Sequence, residues 1–237
     1  MTNSKKLLKT LVLSMLIALG VVISPILRVE GMCPMAHFIN IVCSVFLGPW
    51  YSLLCATLIG IIRMVIMGIP PIALTGAIFG AFLSGVFYRI SKGKILFAVI
   101  GEIIGTGIIG AIISYPVMNF IWGKEGLSWL FYVPSFICGT LIGGSIAYVF
   151  LRKLADNGVL AEIQNKLLSK SYQDKSSLLS NTLVIASFGA ILFVIIELLS
   201  GIFHLTAPIF DILSYTLLIA CMITAIIYYI FRKVKKC

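Results

Sequence analysis

Residues 95–122 read ILFAVIGEIIGTGIIGAIISYPVMNFIW, and Glu102 is the only charged side chain among them. About 20 apolar residues in helical form cross a bilayer core, so this stretch predicts a transmembrane helix. Its neighbours repeat the pattern. Thr10–Leu27 and Pro70–Tyr88 carry no charge, Trp50–Gly68 carries only Arg63, and Trp129–Leu151 carries none. Further on, Leu178–Ile202 holds Glu197 and Ala207–Phe231 holds Asp211. One run is short: Ala36–Leu47 lies between Pro34 and Pro49 and as a helix reaches only about 20 Å. The chain of 237 residues is 60% hydrophobic and 11% charged, whereas soluble domains hold roughly 45–50% apolar and about 25% charged residues. A soluble enzyme, a disordered tail and a collagen-like rod are excluded. The class is all-α integral membrane.

The charges fix an expected topology. With the amino terminus in the cytoplasm and eight crossings, the cytoplasmic side receives Lys5, Lys6, Lys9, Arg89, Lys92, Lys94, Arg152, Lys153, Lys166, Lys170, Lys175, Arg232, Lys233, Lys235 and Lys236, fifteen of eighteen cations. Only Arg28 and Lys124 fall in outer loops, and Arg63 lies within a span. This is the positive-inside pattern, and it needs the short second run to count as a crossing. The net charge of +10 is therefore a topology signal rather than a nucleic-acid footprint. No A-x-A site follows the first span, which reads as a retained helix. The hydrophilic stretch Arg152–Ser177 separates six spans from two, giving expected units of 1–154, a cytoplasmic linker over 155–177 and a hairpin over 178–237 with a basic tail. Leu160, Ile163 and Leu167 stand at helical spacing in the linker, where an interfacial helix and a solvated segment both remain open.

Small residues four apart mark where helices approach closely in lipid. The fourth span carries Gly76/Gly80/Ser84 and Ala77/Ala81/Gly85, the fifth Gly101/Gly105 and Thr106/Gly110/Ser114, the sixth Gly139/Gly143. For spans four to six the expected use is packing within the bundle. Ser14/Ala18 on the first span suits packing or docking to a partner helix equally.

Polar groups inside a membrane span need a reason, because a central charge costs a few kcal/mol. His37 and Asn40 share a face of the second span, and Arg63 lies about 20 Å up the third, toward the outer leaflet. Tyr115 and Asn119 share a face at the outer end of span five, at the level of Trp122, Trp129 and Tyr132. Together they predict a small-molecule site with apolar walls and a few orienting polar groups. The plainer readings are an aromatic belt for the tryptophans and Tyr132, and a helix cap for Asn119. Glu102, about 11 Å from the cytoplasmic end of its span, is expected to stand apart from this group in a structural or coupling role. Glu197, His204 and Asp211 gather near the outer face of the hairpin and are read as snorkelling. Four of the six cysteines, Cys43, Cys55, Cys138 and Cys221, sit in apolar runs, Cys237 is terminal, and no C-x-x-C pair occurs. There is no G-x-x-x-x-G-K-[ST], H-E-x-x-H or G-x-S-x-G motif, so neither ATP binding nor intramembrane catalysis is expected of this chain.

Several blocks in order resemble the ThiW family: CPMAHFIN (33–40), LGPWY (47–51), GIIRM (60–64), GAIFGA (76–81) and GEIIGTG (101–107). The resemblance covers about Leu7 to Leu154. ThiW proteins are substrate-binding S components of energy-coupling-factor (ECF) transporters, assigned to the thiazole precursor of thiamine, 4-methyl-5-(2-hydroxyethyl)thiazole. It implies a six-helix bundle that captures this ligand at its outer face. A coupling subunit, EcfT, and two cytoplasmic ATPases would accompany it, with ATP used by those partners and no cofactor in this chain. Ser14/Ala18 would then be a docking face. His37 and Asn40 would bond the thiazole nitrogen or hydroxyl, Trp129 or Tyr132 would stack on the ring, and Arg63 would order the outer loops. Where the family pattern has Phe-Pro-Gly beside the site, this chain reads Leu74-Thr75-Gly76, which brings Thr75 into the candidate set. The 83 residues beyond Leu154 have no counterpart in the family. The competing functions are an S component for another vitamin or precursor and a self-contained secondary carrier. Against the carrier stand the absence of an inverted repeat and of a midplane carboxylate pair.

Overall fold

Prolines stand at the entry to several helices, where a missing N–H costs no helical hydrogen bond and the fixed φ suits the first turn. A computed structural model describes residues 2–26, 33–167 and 208–234, with isolated positions between 172 and 196. Its helices are α1 (Thr2–Ile26), α2 (Pro34–Leu47), α3 (Pro49–Met67), α4 (Ile72–Ile90), α5 (Ile95–Ile121), α6 (Val133–Asp156), α7 (Val159–Leu167) and α8 (Pro208–Val234). No strand occurs among the described residues. Among the described residues six helices, all but α2 and α7, are long and apolar enough to cross a membrane. The chain is an all-α integral membrane bundle. The span expected at 178–202, Arg28, Glu197, His204 and the side chain of Asp211 lie outside the described residues.

The short α2 is the centre of the bundle. Twelve of its fourteen residues are buried, and it touches every helix from α1 to α7. Ile39, Ile41, Cys43, Val45 and Leu47 carry its apolar contacts. Hydroxyl bonds add register: the Ser52 hydroxyl donates to the Asn40 carbonyl (2.9 Å), and the Ser44 and Ser84 hydroxyls meet at 2.7 Å. Gly48 alone joins α2 to α3 at φ 92°. That conformation suits glycine, and the Arg89 guanidinium fills the space a side chain would take.

Basic residues gather at this Gly48 end. The Lys9 ammonium lies 5.7 Å from the centre of the Tyr51 ring, and the α4–α5 turn brings Arg89, Lys92 and Lys94 alongside. The polar stretch after α6 does not run free over 159–167. Leu160, Gln164 and Leu167 of α7 are buried, and the Gln164 amide donates to the Val45 carbonyl (3.0 Å) and the Tyr88 hydroxyl (2.9 Å). A helix thus caps the end of α2.

The small residues of spans four to six are used as the spacing predicts. A Cβ on Gly105 would come within 2.5 Å of the Gly80 backbone, one on Gly101 within 2.5 Å of the Leu83 carbonyl, and one on Gly110 within 2.6 Å of the Gly76 carbonyl. Helices α4 and α5 therefore meet backbone to backbone. Gly105→Ala is expected to force them apart and cost about 1–3 kcal/mol. Thermal unfolding in detergent should show it as a lowered midpoint.

Candidate functional site

The fifth span changes its winding at the charge it carries. From Ile95 to Glu102 it is α-helical, and from Ile103 to Gly110 it widens into a π-helix. It returns to α over Ala111–Pro116 and is π again over Val117–Ile121. Such π segments recur at functional sites. Glu102, fully buried, lies at the first transition.

Three side chains converge on one oxygen of Glu102. Its Oε1 lies 2.9 Å from His37 Nδ1 and accepts from Asn40 Nδ2 (3.0 Å) and Thr106 Oγ1 (3.0 Å). Its Oε2 has no partner among the described residues and faces Gly80, where a Cβ would sit 2.7 Å away. This corrects the expectation that Glu102 stands apart from His37 and Asn40. The error lay in measuring depth from opposite ends. Asn40 is seven residues from Leu47 and Glu102 seven from Ile95, so both lie about 10 Å above the Gly48 end. Because α2 is so short, its start reaches only the middle of the bundle.

Above this network lies a cavity of about 550 Å³ of empty space, its mouth included. Cys33, Ala36, His37, Arg63, Ile69, Ile72, Ala73, Gly76, Ala77, Thr106, Ser135 and Phe136 line it. Arg63 is 3% exposed and donates through Nη2 to Cys33 Sγ (3.4 Å), while its Nε has no partner among the described residues. Among the described residues no carboxylate pairs with it. His37, Arg63 and, through Glu102, Asn40 therefore belong to one place. Gly143 of α6 lies against the Pro34 carbonyl and the Cβ of His37, so α6 packs closely on this turn of α2.

The other candidates go elsewhere. Thr75 faces α5, its hydroxyl 2.7 Å from that of Ser114, and does not line the cavity. Tyr115 stacks on Trp129 with centroids 4.5 Å apart, and Trp129 is 57% exposed. Tyr132 is buried with Ala111 and Met118 in a small apolar cluster, its hydroxyl unpartnered. Asn119 is half-buried within the second π segment. None of these four contributes to the cavity wall. The aromatic ring that does is Phe136, one turn beyond Tyr132 and 6.0 Å from it between centroids. Sequence reasoning missed Phe136, Thr106, Ser135 and Cys33 as lining residues. A helical count of four from Tyr132 to Phe136 was the available signal for the first. On α1, Ser14 and Ala18 are exposed, while Leu13 and Leu16 face the bundle.

A membrane-embedded bundle with an internal, mostly apolar cavity and a few anchored polar groups is the architecture of a small-molecule transport protein. Over residues 10–157 the chain matches the family model described as thiamine-precursor transporter protein (ThiW). The chain belongs to that family, a family of transporters rather than enzymes. Comparison with curated proteins and with solved structures found no match in either.

Proposed function

We propose that this chain is the substrate-capture subunit of an ECF-type transporter and binds hydroxyethylthiazole in the cavity above Glu102. The observation that carries the reading is the cavity itself, apolar over most of its wall, with His37 held by a buried carboxylate and Arg63 unmatched by any acid among the described residues. A thiazole ring offers a flat face to Phe136. Its hydroxyethyl tail can reach His37 and Arg63, which supply the partners that a buried hydroxyl needs. Lacking a nucleotide motif, the chain would take its drive from EcfT and two cytoplasmic ATPases. The exposed Ser14/Ala18 face of α1 is the docking surface in this reading. Ligand would enter from the end opposite the basic residues, the outer side under the positive-inside rule.

Calorimetric titration of the purified chain with hydroxyethylthiazole tests the proposal, with thiamine and an unrelated vitamin as comparators. Saturable binding of the thiazole in preference to both is the expected result. Preference for another vitamin or precursor would reassign the ligand, and uptake that persists without every ATPase partner would reassign the chain as a self-contained carrier.

A further inference from the structure

The contacts of Glu102 also fix which ring nitrogen of His37 is engaged, leaving Nε2 as the one a ligand can reach. The ring atom nearest the carboxylate is Nδ1, at 2.9 Å. The pair can exist in four ways: a carboxylate with a neutral imidazole, a carboxylate with an imidazolium, a carboxylic acid donating from Oε1 to a neutral imidazole, or a carboxylic acid protonated on Oε2 whose Oε1 still accepts from a neutral imidazole. Arg63 contributes one positive charge to the same cavity, and no other lining residue is charged among the described residues. Only the first state leaves the site electrically neutral; each of the other three leaves a net charge of +1 in a low-dielectric bundle, which is costly. The hydrogen bonds agree. Oε1 already accepts from Asn40 and Thr106, which suits an acceptor and leaves little room for a proton on that atom. Nδ1 therefore carries the proton, and Nε2 is a bare acceptor.

We propose that Glu102 is a positioning residue that holds His37 in its Nδ1–H tautomer. The cavity thereby presents an imidazole acceptor together with the Arg63 donor. It selects a ligand group able both to give and to take a hydrogen bond, such as an alcohol, over a carboxylate that only accepts. The choice of alcohol rests on the proposed function; the tautomer does not.

The test is nitrogen-15 NMR of the ligand-free protein in micelles. The chain has two histidines, so a His204→Gln background leaves His37 as the sole imidazole signal. The expected spectrum has a protonated Nδ1 and an unprotonated Nε2, told apart by their couplings to the ring protons. Glu102→Gln keeps an acceptor oxygen and should keep that spectrum, whereas Glu102→Leu should move the proton to Nε2. An imidazolium or an Nε2–H signal in the protein with native Glu102 overturns the assignment, as does Nε2–H in Glu102→Gln. Should Glu102→Leu not fold, the other two spectra decide. In a second arm, the native chain should bind hydroxyethylthiazole at least about tenfold more tightly than 4-methylthiazole-5-acetic acid, about 1.4 kcal/mol. Equal or tighter binding of the acid overturns the selection of an alcohol. If neither compound binds while Nδ1–H is observed, the proposed function fails and the tautomer stands.

Discussion

Replacing His37 and Asn40 together with alanine is expected to abolish thiazole binding and to weaken the fold. Two of the three donors to Glu102 Oε1 disappear, leaving Thr106 alone beside a fully buried carboxylate. Each lost hydrogen bond to a buried charged group costs about 1.5–3 kcal/mol. Asn40→Ala alone should lower the unfolding midpoint and change affinity only a few-fold, because Asn40 acts through Glu102 and does not line the cavity. His37→Ala alone removes a cavity group and should weaken binding at least tenfold, about 1.4 kcal/mol. The double variant should lose more than about 100-fold, about 2.7 kcal/mol, and more stability than the single losses sum to. Calorimetry for affinity and thermal unfolding for stability separate the two effects. Undiminished binding in the double variant would remove His37 and Asn40 from the site.

Much of this architecture is legible because membrane insertion imposes strong rules on sequence. Charge-free runs mark α1, α4 and α6, and the glycines at 76, 80, 101, 105 and 110 mark a backbone contact that the structure forms. The grouping of His37, Asn40 and Arg63 follows from the cost of burying polar groups, which limits them to places where partners exist. The association of Glu102 with them was not legible, because sequence gives distance along a helix and not where that helix begins in space. A fourteen-residue α2 displaced toward one end turns an apparent separation into contact. The aromatic side was misjudged for a related reason. Trp129 and Tyr132 precede α6, and only their position relative to its first turn decides that Phe136 faces inward while Trp129 pairs with Tyr115. The π segments of α5 leave no trace in composition, since a run of isoleucine and glycine has the same apolar content in either winding. Helix α7 was open between two readings until Gln164 found carbonyl and hydroxyl partners at the base of α2.

Arg63→Met should separate ligand recognition from folding. The guanidinium is almost wholly buried, and among the described residues its one hydrogen bond runs to a thiol sulfur and its Nε bonds to nothing. Burying a charge with so few hydrogen bonds is costly, which offsets what Arg63 contributes by balancing the Glu102 carboxylate. The unfolding midpoint should therefore change little. Binding should fall by about 10–100-fold, matching the loss of one hydrogen bond to a charged group, worth about 1.5–3 kcal/mol. Arg63→Lys retains the charge but not the planar fork, and is expected to recover only part of the affinity. A protein of unchanged stability that no longer holds thiazole would mean that Arg63 is kept for its ligand. A destabilised protein with native affinity would mean instead that Arg63 serves the Cys33 segment, tying the start of α2 to the end of α3. The two outcomes separate on both measurements, so a single variant decides between them.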